Sequence, residues 1–138
     1  MARLDKLMAA LKREHPIRRH PADEEHRIQC ACVRWFAIQH PKLRYRLFAV
    51  PNGGRRDATT AAKLKAEGVV PGVADLILLR SNHDYGALLI EMKTAKGRQS
   101  TSQKAWQNEV CSCGEYKYVV CRSLDDFIRE VNDYLSND

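Results

Sequence analysis

The residues best suited to chemistry in this sequence are two carboxylates and an ammonium group at the ends of two apolar runs. Asp75 precedes the run "LILL", and Glu91 and Lys93 follow the run "ALLI". Side chains alternate across a strand, so Glu91 and Lys93 project to one side and Met92 to the other. If the two runs pair as neighbouring strands, Asp75 and Glu91 converge at a shared end of the sheet.

Two carboxylates brought this close repel each other, and a divalent cation would compensate their charge. Mg²⁺ favours one or two carboxylates, several waters and a phosphate oxygen of a substrate. A lysine beside the ion can hold a water or stabilise charge that develops on a phosphate. Taken alone, a Glu-x-Lys is typical of a surface ion pair and the aspartate of a turn. Their conjunction with two apolar strands favours a metal site.

Helices and strands alternate along the chain, and they must position these residues. Apolar spacing and turn residues predict helices over residues 1–15 and 22–40, then a strand over 44–50 and a short helix closed by Gly68. Two strands follow, over 75–80 and 86–93, and then a helix capped by Ser100 or Thr101 that stops at Gly114. The strand "YKYVVC" and a helix beginning at Ser123 complete the chain. The order predicts an α/β fold, a small mixed sheet flanked by helices, in one domain of 138 residues.

Basic residues crowd one region of a chain whose net charge is +6. The stretch "PNGGRRD" predicts a loop, in which glycines let the backbone approach phosphates and arginines can clamp them. A solvated turn is the alternative, although the helical pattern downstream disfavours a simple hairpin. The candidate nucleic-acid contacts are Asn52, Gly53, Gly54, Arg55, Arg56, Lys63, Lys65, Lys96, Arg98 and Lys104.

Composition excludes several other classes of protein. The hydrophobic fraction of 44% is that of a folded globular chain, and no apolar run approaches the roughly 20 residues that cross a bilayer. The N-terminus is too charged for a secretory signal, and five cysteines lack the usual zinc spacing. We expect a cytoplasmic protein with no membrane partner and no organic cofactor.

Three segments carry a resemblance to a known family. "PGVADLILL", "LLIEMKTAKGRQSTSQKAW" and "FAVPNGGRRD" resemble the virus-type replication-repair nuclease (VRR-NUC) domain, a branch of the PD-(D/E)XK nucleases. The resemblance runs from about Glu24 through the last helix. It implies a restriction-endonuclease-like core with an extra N-terminal helix, residues 1–15, as a possible dimer contact.

The resemblance also implies roles for particular residues. Asp75 matches the aspartate of the nuclease motif, Glu91 and Lys93 match its Glu-x-Lys, and Gln103 matches a glutamine that sits near the metal in such enzymes.

The segment "EEHRIQ" looks like the leading helix of the family, whose glutamate completes the metal site. Glu25 fits best by its spacing to Gln29, and Glu24 is the alternative.

The implied mechanism is phosphodiester hydrolysis with Mg²⁺ or Mn²⁺. The ligands would be Asp75, Glu91 and the backbone carbonyl of Met92, with Glu25 binding directly or through water. Lys93 would orient or activate the attacking water. The products would be a 5′-phosphate and a 3′-hydroxyl.

Stand-alone members of the family, particularly phage-borne ones, form homodimers that cut branched DNA such as four-way (Holliday) junctions. The resemblance therefore implies a structure-selective DNA repair endonuclease in a bacterial or phage-infected cell. One alternative is a nicking, flap-processing or end-processing nuclease on the same fold. The other is a non-catalytic DNA-binding module.

Overall fold

Five helices, a 3₁₀ helix and four strands make up the computed structural model, which describes residues 2–13, 21–51 and 57–138. The helices are α1 (Ala2–Arg13), α2 (Pro21–Gln39), α3 (Ala58–Ala66), α4 (Thr101–Val110) and α5 (Leu124–Ser136). The strands are β1 (Leu47–Ala49), β2 (Leu76–Leu78), β3 (Ala87–Met92) and β4 (Tyr116–Cys121), and the 3₁₀ helix (Pro41–Arg46) leads into β1.

The four strands form one mixed sheet in the order β1-β2-β3-β4. Strand β2 runs antiparallel to both β1 and β3, whereas β3 and β4 are parallel. The predicted mixed sheet flanked by helices is confirmed. Because Leu76 lies opposite Ile90, continuing the same antiparallel register by one residue places Asp75 opposite Glu91.

One face of the sheet packs against α2 and α5. Trp35 and Phe36 of α2 and Phe127 of α5 are buried there, and the Trp35 and Phe127 rings meet edge to face with centroids 6.0 Å apart. The sheet contributes alternate residues to this core, which is what the two-residue period of a strand requires. They include Leu47, Leu76, Leu78, Leu88, Ile90, Met92 and Cys121.

Strand β3 is buried along its whole length, on both faces. Its outer-facing residues Ala87 and Leu89 are buried although they lie outside the core cluster. A strand that is packed on both faces moves little, so the side chains at its end are held in fixed positions.

The predicted strand over residues 44–50 is wrong in its first half. Residues Pro41–Arg46 form a 3₁₀ helix, and only Leu47–Ala49 pair with β2. Pro41 stands at the start of that helix, where its fixed φ favours a tight turn. Leu43 packs against the core from this turn, whereas Arg44, Tyr45 and Arg46 are exposed, so their alternating pattern corresponds to neither pairing nor burial.

Helix α1 packs against the body of the chain through Met8, a residue of its apolar stripe. Met8 contacts the core cluster, whereas Leu4 and Leu7 stay half-buried. None of the helices within the described ranges is long and apolar enough to cross a membrane.

Candidate active site

The carboxyl groups of Asp75 and Glu91 meet where the start of β2 lies beside the end of β3. The backbone N–H of Met92 donates to Asp75 Oδ2 at 2.7 Å, and the Asp75 carboxyl lies close enough to Glu91 to raise the pKa of the Glu91 carboxyl. The sequence prediction that these side chains converge agrees with this geometry.

The environment of Glu91 favours the protonated form of its carboxyl group. Glu91 is 1% exposed, the one charged residue among the buried residues of the described chain. Burial raises the pKa of Glu91 well above the usual range, and the neighbouring Asp75 carboxyl raises it further. Tyr118 and Lys93 act in the opposite direction, since each stabilises the carboxylate.

Gln103 holds one oxygen of Glu91 from the first turn of α4. Its Nε2 donates to Glu91 Oε1 at 2.9 Å, while its Oε1 accepts from the backbone N–H of Ser100 at 2.7 Å. Ser100 Oγ accepts in turn from the backbone N–H of Gln103, which completes a capping box. The residues that start the helix thus also fix the amide that reaches the site.

Tyr118 of β4 holds the other oxygen of Glu91, and sequence reasoning missed it. Its hydroxyl donates to Glu91 Oε2 at 3.1 Å and accepts from Gln99 Nε2 at 3.1 Å. Gln99 Nε2 also donates to Gln107 Oε1 of α4 at 2.9 Å. The ring centroids of Trp106 and Tyr118 lie 6.4 Å apart. Burial and the nearby charge of Glu91 raise the pKa of Tyr118, which keeps the hydroxyl a donor.

Gly72 sets the distance between α4 and the start of β2. Its φ of +83° is one that side-chain-bearing residues rarely adopt. A methyl group at this position would collide with the carbonyl oxygen of Ser102 and lie 2.8 Å from the backbone nitrogen of Gln103. At Gly72 of the Pro71-Gly72 pair, the loop before Asp75 therefore contacts the helix that carries Gln103.

Lys93 and Glu25 lie at the edge of the carboxyl pair. The backbone N–H of Lys93 donates to the carbonyl of Cys121 at 3.0 Å, which fixes the residue beside β4. Burial raises the pKa of Glu25, the Lys93 charge lowers it and the Asp75 charge raises it, so Glu25 lies near both groups. Glu24 is exposed whereas Glu25 is half-buried, and this favours Glu25 as the site carboxylate.

The donor groups fit a divalent cation. Within the described ranges, no three His, Cys, Asp or Glu side chains form a set that could hold a metal ion, so Glu25 does not join Asp75 and Glu91 as a third ligand in this arrangement. Two carboxylates are nonetheless within what Mg²⁺ takes from a protein. Because the neighbouring Asp75 carboxyl raises the pKa of Glu91, positive charge between the two groups would be stabilising, and a divalent cation would supply it.

The predicted basic contacts divide into those that the structure describes and those that it does not. Asn52, Gly53, Gly54, Arg55 and Arg56 lie outside the described residues. Each of the others is exposed to solvent: Lys63 and Lys65 on α3, Lys96 and Arg98 after β3, and Lys104 on α4.

Arg122 fixes the loop after β3, a role that the sequence did not reveal. Its Nη1 donates to the carbonyl oxygens of Thr94 at 2.8 Å and Gly97 at 2.6 Å. Lys96 lies between these two anchors. The turn that carries it therefore stays close to the end of β3.

Comparisons with known proteins agree with this geometry. The VRR-NUC domain family matches residues 15–125. A solved structure described as a VRR_NUC domain protein has 26% sequence identity to this chain, a TM-score of 0.70, and coverage of 83% of this chain and 89% of its own. None of the curated proteins matches the chain.

The match covers most of the sequence, including the segments that carry Asp75, Glu91, Lys93 and Gln103. VRR-NUC domains are nuclease domains of the PD-(D/E)XK type, and those nucleases generally depend on divalent metal ions. The chain belongs to the VRR-NUC domain family.

Proposed function

We propose that this protein is a divalent-metal-dependent DNA endonuclease that cuts branched DNA such as four-way junctions. The observation that carries the proposal is the pair of facing carboxyl groups, Asp75 and Glu91, which meet where the start of β2 lies beside the end of β3, close to Lys93. A protein that only binds DNA gains nothing from a buried carboxyl pair, because such a pair repels phosphate.

Each residue of the site has a part in the proposed reaction. Asp75, Glu91 and the carbonyl of Met92 would hold Mg²⁺ or Mn²⁺. When bound, the ion supplies a water of lowered pKa and positive charge for a phosphate oxygen. The Lys93 ammonium orients that water or stabilises charge on the phosphate. Glu25, half-buried near Asp75, acts through water.

Gln103 and Tyr118 contribute by orienting Glu91. They donate to different oxygens of its carboxylate, so the group cannot rotate away from Asp75. Outer partners of this kind typically contribute about 10- to 100-fold in metal affinity or activity.

The proposal includes a homodimer, in which two sites related by a two-fold axis act on two strands of one junction. The half-buried stripe of Leu4 and Leu7 on α1 is the proposed contact between copies. Light scattering from the full chain should give twice its mass of 15.8 kDa. A value of one chain mass contradicts the dimer.

The test of function is a cleavage assay on labelled four-way junctions, flaps, forks and linear duplexes with Mg²⁺ or Mn²⁺. The wild type should cut junctions, and EDTA should abolish cutting but leave DNA affinity nearly intact. DNA ligase should rejoin the products, because hydrolysis leaves a 5′-phosphate and a 3′-hydroxyl.

Asp75→Asn should lower the cleavage rate by roughly a hundredfold or more, since a ligand contributes at least as much as its outer partners. Asp133→Asn, an exposed aspartate of α5, is the matched control and should cut like the wild type. Equal cutting of linear duplex removes the branched-DNA part of the proposal. Cutting by Asp75→Asn at the wild-type rate removes the site.

A further inference from the structure

The sheet carries an apolar surface that continues directly from the carboxyl pair. The antiparallel pairing of β2 with β1 continues for one residue beyond each end of β2, to Asp75 and to Leu79. Because side chains alternate along a strand, those of Asp75, Ile77 and Leu79 project to the same side of the sheet. The Val50 N–H donates to the Asp75 carbonyl at 2.9 Å, and the Leu79 N–H donates to the Arg46 carbonyl at 2.8 Å. This side is the outer face of the sheet, the one that bears Glu91.

Among the described residues, α4 contacts the β3–β4 half of this outer face, where Gln103 reaches Glu91 and Trp106 lies against Tyr118. On the other half, Phe48 lies directly beside Ile77 in the sheet register. Phe48 is 42% exposed and Leu79 is 58% exposed, while Ile77 is half-buried. We call Phe48, Ile77 and Leu79 the platform.

The platform is edged by positive charge. Arg46 lies opposite Leu79, and its Nη1 donates to the Leu79 carbonyl at 3.4 Å. One residue earlier, Tyr45 is 84% exposed, with the Arg44 guanidinium 4.7 Å from its ring centroid. A second copy of this chain would bring the same arginines to a self-complementary contact, and like charges disfavour that contact. A partner with flat apolar groups on an anionic backbone fits both features.

We propose that the platform binds an unpaired nucleobase of the strand being cut. This rests on the proposed nuclease function, and it specifies the substrate: DNA with an unstacked nucleotide next to the scissile phosphate. Ile77 is two residues from Asp75 along β2, a distance of about 6.7 Å. A phosphate at the carboxyl pair therefore places a neighbouring base over Phe48 and Ile77, with Arg46 beside the backbone.

This contact explains a preference for branched DNA without any base-specific hydrogen bond. Every base has a face that can stack on an aromatic ring, so the contact tolerates all sequences. In a fully paired duplex the base must first leave its stack, which costs a few kcal/mol. At a flap or fork an unpaired base is already available, and at a four-way junction the stacking of the exchanging strands is already interrupted.

Fluorescence of 2-aminopurine tests the contact independently of cutting. The base analogue is placed at the unpaired position of a fork, and binding is measured in the Asp75→Asn background. With Phe48 in place, binding should quench the analogue; Phe48→Ala should abolish the quenching and weaken affinity roughly 5- to 150-fold. Phe48→Tyr should restore both.

Ile38→Ala is the matched control, since Ile38 is 52% exposed on α2, which packs on the opposite face of the sheet. It should leave quenching and affinity unchanged. Quenching that survives in Phe48→Ala overturns the proposal. So does a switch from dimer to monomer in Phe48→Ala with DNA affinity retained, which would make this face a contact between copies.

A cleavage arm separates this proposal from the nuclease proposal. In the protein that retains Asp75, Phe48→Ala should lower kcat/KM on forks. Any cutting of linear duplex should stay at the wild-type rate. If the wild type cuts no DNA but quenches the analogue through Phe48, the platform stands and the nuclease proposal fails. If the wild type cuts forks and Phe48→Ala cuts them equally well, the platform fails alone.

Discussion

At the scale of single residues, the carboxyl group of Glu91 is fully buried beside Asp75, and this placement favours function over stability. Gln103 and Tyr118 fix both of its oxygens, and its pKa is raised because the charged form is poorly solvated. The proposed metal site must keep two acidic groups close, and without a cation their ionisation costs free energy.

Replacing Glu91 with glutamine should therefore stabilise the metal-free protein at alkaline pH. The unfolded chain releases the Glu91 proton near pH 4.5, whereas the folded protein retains it to higher pH. Stability of the wild type thus falls as pH rises from that value toward the raised pKa, and Glu91→Gln has no proton to lose. In EDTA, its melting temperature should match the wild type at pH 4 and exceed it by several degrees at pH 9.

Calorimetry beside Glu109→Gln, an exposed glutamate of α4, controls for the loss of a charge. Saturating Mg²⁺ should reverse the order, because binding stabilises only the protein that keeps both carboxylates. An equal melting temperature for Glu91→Gln and wild type at pH 9 would show that the buried carboxyl carries no such cost.

At the scale of elements, the position of α4 depends on its contact with Gly72. The N-terminal turn of α4 presses against this glycine and at the same time points Gln103 at Glu91. The loop before β2 and the helix after β3 are thus locked together at the one place where both approach the carboxyl pair.

Gly72→Ala should destabilise the protein and displace Gln103, whereas Gly68→Ala should carry only a backbone cost. Both glycines have positive φ, +83° and +103°, so each alanine pays about 1–2 kcal/mol of conformational strain. Only Gly72 also meets backbone atoms of Ser102 and Gln103, whereas a methyl at Gly68 meets nothing within 4 Å.

Urea denaturation and cleavage rates should be measured for both variants. The larger loss of unfolding free energy and of activity in Gly72→Ala reports the contact with α4. Similar losses in the two variants would mean that α4 moves aside without consequence for the site.

The sequence predicted the elements whose signals are local. Periodicity placed α2 and β3, and Ser100 marked the start of α4, because caps and apolar spacing act within a few residues. The strand over residues 44–50 failed in its first half because the 3₁₀ helix that begins at Pro41 runs to Arg46, and residues 44–46 are exposed in it.

The candidate site could be predicted from the sequence only in part, because only some of its residues carry a local signal. Asp75, Glu91 and Gln103 sit in a spacing that is visible in the sequence. Tyr118 contacts Glu91, 27 residues earlier, and Arg122 contacts Thr94, 28 residues earlier. The residues next to Tyr118 and Arg122 in the sequence give no signal of either contact. Their roles follow from the parallel pairing of β3 with β4.

At the scale of the whole molecule, the exposed positive charge supports the proposed contact with DNA. The net charge is +6, and the described candidate lysines are exposed. Lys96 and Lys104 stand nearest in sequence to the site residues Lys93 and Gln103. Contacts of this kind bind phosphates of any sequence and release counterions.

Lys96→Ala combined with Lys104→Ala should weaken DNA binding and reduce its salt dependence. The slope of log affinity against log salt should fall by about 0.7–0.9 for each phosphate contact removed. Titration of a labelled junction between 50 and 200 mM salt, roughly the range where such losses are large, measures the slope. Lys6→Ala, an exposed lysine of α1, is the control, and an equal effect there would place DNA elsewhere.

The partners of Glu91 also impose an order on how activity arises during synthesis. Gln103 and Tyr118 both follow Glu91 in the chain, and so does α5, which packs with α2 in the core. A ribosome that has released the chain only as far as β3 holds a peptide with the acidic pair but without the groups that orient it. The proposed active centre is therefore complete only after both α4 and β4 have been translated, and a fragment that ends between them lacks Tyr118.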